Sequence, residues 1–91
     1  VKAKVTSITS KNGKVYLEWK KVANSSGYKI YMSTSENGNY ERIRTFSDNV
    51  TSYSKSLEKG KTYYFKMRAF KTVNGEDVFG AYSDVVKITI K

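Results

Sequence analysis

The sequence predicts an all-β fold in which seven short antiparallel strands form a two-sheet sandwich. Apolar side chains alternate with polar or charged ones in several stretches, strand signals recur about every ten residues, and Asn-Gly pairs stand between them. The alternation is clearest in residues 57–69, where one face is apolar and the other is cationic. A strand with one buried and one exposed face is typical of an antiparallel sheet packed on a core.

The seven strands are predicted from these apolar markers and from their spacing. The first three are marked by Val5 and Ile8 in residues 4–9, then by Val15, Leu17 and Trp19, and then by Tyr28, Ile30 and Met32. The later strands are predicted over residues 40–46, 51–56, 61–71 and 78–90. Because helical periodicity is almost absent, this succession of short strands indicates a sandwich.

Three Asn-Gly pairs mark the predicted hairpins, at Asn12-Gly13, Asn37-Gly38 and Asn74-Gly75. Asn and Gly tolerate the positive φ that tight hairpin turns require. The pairs would join the first strand to the second, the third to the fourth and the sixth to the seventh. The other links lack this signal and are expected to cross between sheets. The predicted sheets therefore have the strand orders 1-2-5 and 4-3-6-7.

The apolar faces of these strands are expected to form the core. The predicted core residues are Val15, Leu17, Trp19, Tyr28, Ile30, Leu57, Tyr63, Phe65, Met67, Val86 and Ile88. Trp19 shares the strand parity of Val15 and Leu17. We therefore expect its indole to anchor the core rather than to serve as an exposed platform for a ligand.

Several of these residues resemble the signature of a fibronectin type III domain. The resemblance is carried by Trp19, by Gly27-Tyr-Lys-Ile-Tyr31, by Leu57-x-x-Gly60-x-x-Tyr63-x-Phe65-x-Met67-x-Ala69 and by Tyr82-Ser83. The resemblance covers nearly the whole chain. The pattern is most similar to that of the fibronectin type III domains found in secreted multidomain proteins of Gram-positive bacteria. The resemblance implies a seven-stranded immunoglobulin-like sandwich and a Tyr63 hydroxyl bonded to the backbone of the 57–60 turn.

The resemblance also implies a function for the chain. Residues 1–91 are expected to form a single domain taken from a longer protein, secreted or at the bacterial cell surface. We expect a noncatalytic module that spaces, orients or helps anchor neighbouring domains of the same polypeptide, such as glycan-degrading enzymes or adhesins. The isolated domain is expected to be monomeric.

Composition argues against several other functions. The 17 Lys and Arg residues outnumber the 8 Asp and Glu residues, and their even spread predicts a basic body rather than a nucleic-acid-binding arm. The chain has no His and no Cys, which removes the commonest metal ligands and nucleophiles. We expect no catalytic site, no metal and no cofactor. No apolar run predicts insertion into a membrane.

A second hypothesis concerns the outer face of the predicted 4-3-6-7 sheet. Its outward positions are Lys29, Tyr31, Tyr64, Lys66, Arg68 and Lys87, with Arg42 or Arg44 nearby. Cations interleaved with tyrosines suit weak binding of a carbohydrate or an anionic cell-wall polymer, by stacking and by charge. The alternative interpretation is an ordinary solvated sheet face, on which Lys and Arg discourage edge-to-edge pairing.

Overall fold

The computed structural model describes residues 3–91, which form eight strands and no helix. The strands are β1 Val5–Lys11, β2 Lys14–Trp19, β3 Gly27–Ser33, β4 Glu41–Ser47, β5 Ser52–Ser56, β6 Thr62–Val73, β7 Glu76–Phe79 and β8 Val86–Thr89. Nothing in this range is a helix long and apolar enough to cross a membrane. The domain is elongated, with principal extents of 43 × 25 × 18 Å.

The predicted two-sheet arrangement is confirmed. One sheet has the order β1-β2-β5, and the other has the order β4-β3-β6 with β7 and β8 both pairing with β6. All pairings are antiparallel. The apolar faces of the two sheets meet across the core, as alternation along the strands requires.

The predicted seventh strand is divided in the structure. β7 pairs with the end of β6 at Phe70–Val73, and β8 pairs with its beginning at Thr62–Phe65. Between them the backbone N–H of Ser83 donates to the carbonyl of Met67 at 2.7 Å, and the N–H of Met67 donates to the Ser83 hydroxyl at 3.0 Å. A side-chain hydroxyl thus takes the place of a backbone carbonyl, which interrupts the ladder.

All three Asn-Gly pairs lie between paired antiparallel strands as predicted, but only two of them have the expected positive φ. Asn12-Gly13 joins β1 to β2 and Asn74-Gly75 joins β6 to β7, with φ between +53° and +82° at all four positions. Asn37-Gly38 lies in the seven-residue link 34–40, and neither residue has positive φ. A Cβ at Gly38 would stand 2.9 Å from the Ser35 side chain, so glycine is needed there for space rather than for backbone conformation.

Most of the predicted core residues are buried. Val15, Leu17, Trp19, Tyr28, Ile30, Tyr63, Phe65 and Met67 are each at most 7% exposed, and Ala3, Ala69 and Ile90 join them. Leu57, Val86 and Ile88 are only half-buried and pack against this cluster. Leu57 lies in the link between the sheets, and β8 pairs on one side only, with β6, so solvent reaches all three.

Two buried tyrosines hold the segments between strands in place, because their hydroxyls form hydrogen bonds with the backbone of those segments. The expected Tyr63 bond is present, since the N–H of Glu58 donates to the Tyr63 hydroxyl at 3.4 Å. Tyr28, predicted only as core, makes the shorter contact. Its hydroxyl accepts from the N–H of Val22 at 2.9 Å and donates to the carbonyl of Asp48 at 3.4 Å. Tyr28 therefore ties the β2–β3 and β4–β5 links together.

Replacing Tyr28 with phenylalanine should cost about 1–2 kcal/mol, because a buried N–H loses a short hydrogen bond. Tyr63→Phe should cost about 1 kcal/mol or less, because its bond is long. Urea unfolding followed by Trp19 fluorescence measures both variants. A larger loss for Tyr63→Phe would contradict the ranking.

The last residues of the chain are held by backbone hydrogen bonds. The N–H of Gly13 donates to the carbonyl of Lys91 at 2.7 Å, and the N–H of Gly60 donates to the carbonyl of Ile90 at 2.8 Å. The N–H of Lys91 donates to the Ser10 hydroxyl at 2.9 Å. The chain therefore stays ordered up to its last residue.

The opposite end of the domain holds the first described residues. The N–H of Lys20, after β2, donates to the carbonyl of Lys4 at 3.1 Å, and Ala3 is buried. β1 then runs from this end to the β1–β2 turn beside Lys91. Ala3 and Lys91 consequently lie at opposite ends of the sandwich.

Candidate functional site

The six predicted ligand-face residues lie together on the outer side of the β4-β3-β6 sheet. They form three cross-strand pairs, Lys29 with Arg68, Tyr31 with Lys66, and Tyr64 with Lys87. We call this surface the cationic face. Even-numbered residues of β6 point outward because its odd-numbered residues fill the core.

Arg68 is at the centre of the cationic face. Its guanidinium carbon lies 3.8 Å from the ring centre of Phe79 and 4.6 Å from that of Tyr82. Its Nε donates to the Tyr31 hydroxyl at 3.2 Å. The rings of Tyr31 and Tyr82 meet edge to face, with 5.4 Å between their centres. The guanidinium is thus held by three aromatic side chains of the domain.

The two lysines beside Arg68 are held in the same way. The ammonium of Lys66 lies 4.1 Å from the Tyr82 ring centre and 4.5 Å from that of Tyr40. The ammonium of Lys29 lies 5.1 Å from the Phe79 ring centre and 3.8 Å from a carboxylate oxygen of Asp77, and its side chain is 13% exposed. Cation–π contacts of this kind stabilise the fold and order the side chains.

Two tyrosines beside these cations have a raised pKa. Burial raises the pKa of Tyr82, and Tyr31 adds to the increase, against the opposing effect of Arg68. Burial also raises the pKa of Tyr40, with a further contribution from Glu36. Both phenols therefore stay protonated and neutral at physiological pH, and their rings remain good partners for cations.

This geometry changes what the cationic face can bind. A sugar stacks on the open face of an aromatic ring, but here Lys66 and Arg68 lie against the rings of Tyr31, Tyr40 and Tyr82. The charges remain accessible in part, so attraction of a polyanion is still compatible with the arrangement. Exposed Lys87 also contributes to that charge. The contacts favour a structural role for Tyr31, Tyr40 and Tyr82 over carbohydrate stacking, whereas half-buried Tyr64 makes no such contact within the described residues.

Sequence reasoning missed four aromatic members of this face: Tyr40, Phe70, Phe79 and Tyr82. Phe70 has the same parity as the outward residues of β6, so extending the alternation by one step would have found it. Tyr82 lies in the irregular 80–85 segment, where strand parity gives no information.

The two arginines of β4 lie in different places. A register shift between Ile30 and Tyr31 sets Arg42 opposite Tyr31, on the cationic face. Arg44 is opposite inward-facing Ile30, and its guanidinium lies 5.4 Å from the Phe46 ring centre, at the open edge between the sheets. The shift explains why alternation alone could not assign them.

The described residues offer little for catalysis or metal binding. Between Ala3 and Lys91 no group of three or more acidic side chains is placed to hold a metal ion, and the chain has no His or Cys. The buried polar side chains in that range, Ser33 and Ser83, both make hydrogen bonds to the backbone. These two serines therefore stabilise the fold.

Comparison with curated proteins finds a relative much longer than this chain. An amylopullulanase from Thermoanaerobacterium thermosulfurigenes is 33% identical over 79 residues, which is 87% of this chain and 4% of that protein. The chain thus spans a very small part of the curated relative. No family model matches the sequence.

Comparison with solved structures identifies the fold. A β-1,2-glucanase from Parabacteroides distasonis superposes with a TM-score of 0.81 at 19% identity, over 97% of this chain and 12% of its own. An Fn3-like protein from Clostridium thermocellum gives a TM-score of 0.80 at 22% identity, over 98% of this chain and 91% of its own. Fibronectin type III domains of human proteins also superpose, at 16% to 18% identity. With its two sheets and its buried Trp19, this chain has the fibronectin type III fold.

Proposed function

We propose that the chain is a noncatalytic module of a secreted or cell-surface bacterial protein that acts on polysaccharides, and that it spaces and orients the neighbouring domains. The relatives support this context. The chain corresponds to 4% of an amylopullulanase and to 12% of a β-1,2-glucanase chain, so sandwiches of this size accompany much larger polypeptides. Both names refer to enzymes that act on polysaccharides.

The observation that carries the spacing role is the position of Ala3 and Lys91, the first and last described residues, and the hydrogen bonds that hold Lys91. Ala3 and Lys91 lie at opposite ends of a domain with a 43 Å long axis, and Lys91 is bonded through both its N–H and its carbonyl. A domain that follows Lys91 directly would therefore start from a fixed position and direction. A flexible tail would not transmit orientation in this way.

The end that carries Lys91 also has a distinct charge. Its basic residues lie at the β1–β2 hairpin, in the β5–β6 link and at residue 91, and they are Lys11, Lys14, Lys59, Lys61 and Lys91. Two acidic residues offset them in part: Glu36, in the β3–β4 link, and Glu58, whose carboxylate lies 4.0 Å from the ammonium of Lys61. An acidic surface on the following domain would complement this end, although exposed pairs contribute little individually.

An alternative function is weak binding of an anionic cell-wall polymer by the cationic face. The net charge of +9 supports it, and Arg42 and Lys87 are exposed on this face. Such binding would be salt-sensitive, so retention on immobilised heparin at low salt distinguishes it from a pure spacer. The aromatic contacts of Lys66 and Arg68 give those residues a structural role in either case.

The test joins a small reporter domain directly to Lys91 and compares the rotational diffusion of the two domains by ¹⁵N relaxation. We expect one shared correlation time, because the hydrogen bonds of Lys91 fix the joint. A matched fusion with a flexible Gly-Ser linker should show independent tumbling, and Ser10→Ala should loosen the direct fusion by removing the partner of the Lys91 N–H. Independent tumbling in the direct fusion would contradict the orienting role.

A further inference from the structure

We infer that the outer face of the β1-β2-β5 sheet binds a neutral glucan chain through Tyr16. The site, which we call the Tyr16 face, consists of Tyr16 and Glu18 on β2 with Thr9, Ser52 and Ser54 on the flanking strands. The inference deepens the proposed function and rests on it, because it gives a module of a polysaccharide-acting protein a ligand site of its own. It places that site on the opposite sheet from the cationic face.

Tyr16 lies at the centre of this face. It is opposite Thr9 on β1 and opposite Ser54 on β5, so all three side chains point the same way. Residues opposed across antiparallel strands have Cα atoms about 5 Å apart. Since both neighbours are short, the phenol ring stands above them, and it is 39% exposed.

The ring of Tyr16 is free, in contrast to the rings of Tyr31 and Tyr82 on the cationic face. Within residues 3–91 it makes no contact with another ring or with a cation, whereas the rings of Tyr31 and Tyr82 contact each other and Arg68. Those contacts order the rings of Tyr31 and Tyr82, which stabilise the fold. Tyr16 makes no contact of this kind within the described residues, and its exposed ring is available to a ligand.

Polar groups surround the ring. Glu18 is opposite Ser52 on β5 and forms no ion pair with any residue between Ala3 and Lys91. A shallow groove of about 610 Å³ runs from Tyr16 and Glu18 past Ser52 and Ser54 to Arg44 at the open edge. The hydroxyls both donate and accept hydrogen bonds, the carboxylate accepts them and the guanidinium donates them. The rim can therefore pair with both the donors and the acceptors of a ligand.

A glucan fits this combination. A pyranose ring presents a face of C–H groups that packs on an aromatic ring and a rim of hydroxyls that needs donors and acceptors. Along the groove Glu18 and Arg44 are of opposite sign, which favours a neutral chain over a polyanion. The groove is shallow and lies on an open sheet face, unlike the enclosed apolar pockets that hold small molecules. A chain that extends across the sheet is the ligand it accommodates.

The experiment titrates the ¹⁵N-labelled 91-residue chain with maltoheptaose, with a β-1,2-linked glucose oligomer and with a heparin oligosaccharide. We expect saturable shifts with at least one of the two neutral oligomers, centred on β2 and β5. Tyr16→Ala should weaken that binding about tenfold or more, because the packing surface is lost. Tyr16→Phe keeps the ring and should stay within about twofold of the unsubstituted chain.

Tyr82→Ala is the matched control, because Tyr82 is exposed to a similar extent on the opposite face. It should bind as the unsubstituted chain does, and thermal unfolding verifies that each variant is folded. Glu18→Gln should weaken binding with no loss of fold, which gives a second measurement. No saturable shift by either neutral oligomer up to about 10 mM would overturn the site. So would unchanged binding by Tyr16→Ala, or shifts confined to the cationic face. None of these outcomes would alter the shared tumbling that tests the spacing role.

Discussion

Replacing Trp19 with alanine is expected to lower the free energy of unfolding by about 3–5 kcal/mol. Trp19 is 4% exposed, and its ring contacts those of Tyr28 and Phe46, with 5.9 and 5.5 Å between centres. Its Nε1 donates to the carbonyl of Val50 at 3.1 Å. Truncation would leave a cavity between the sheets and remove the partner of a backbone carbonyl.

Urea unfolding followed by far-ultraviolet circular dichroism measures this loss, since the variant lacks the fluorescent indole. A domain of this size is stable by roughly 5–10 kcal/mol, so the change is a large part of the total. Tyr16→Ala on the same strand is the control and should cost about 1 kcal/mol or less, because the side chain points to solvent. Similar losses for the two variants would show that Trp19 does not anchor the core.

The second large effect is expected at Gly27, at the start of β3. A Cβ there would lie 2.1 Å from the carbonyl oxygen of Phe46 and 3.0 Å from the Phe70 ring. Gly27 is paired with Ser47 on β4 and with Phe70 on β6, so neither neighbour can withdraw without breaking a ladder. Gly27→Ala should therefore cost about 3 kcal/mol or more.

Gly75→Ala supplies the contrast for this prediction. Gly75 has φ of +82° with no atom near its missing Cβ, so alanine there meets only backbone strain, about 1 kcal/mol. Thermal and urea unfolding rank the two variants. If Gly27→Ala were no more destabilising than Gly75→Ala, the close approach of the three strands at Gly27 would not be a constraint on stability.

Local signals were sufficient for much of the fold. Strand parity placed Trp19 in the core, and the conformational preference of Asn12 and Gly13 set the first hairpin. Both signals depend on a residue and its immediate neighbours. Asn37-Gly38 also lies in the predicted hairpin, between β3 and β4, but without positive φ, and the space that Ser35 leaves beside Gly38 is a feature that local preference cannot predict.

The candidate sites were harder to predict because they depend on long-range geometry. Parity found the six cationic-face positions, but it could not show that Lys66 and Arg68 would contact Tyr82, which reaches them from an irregular segment. Tyr16 alternates with Val15 and Leu17, so parity indicates only that it points outward. That its ring is free becomes evident only when the two sheet faces are compared in three dimensions.

The bonds that hold Lys91 have a mechanical consequence. β8 runs toward Lys91 and is antiparallel to β6, while β1 runs away from Ala3 and is antiparallel to β2. Tension between the two ends would thus pull each terminal strand along its own axis and load its hydrogen bonds together in shear. The bonds of Lys91 to Gly13 and Ser10 would take part of this load at one end. A domain loaded in this way would resist tension until these hydrogen bonds break together.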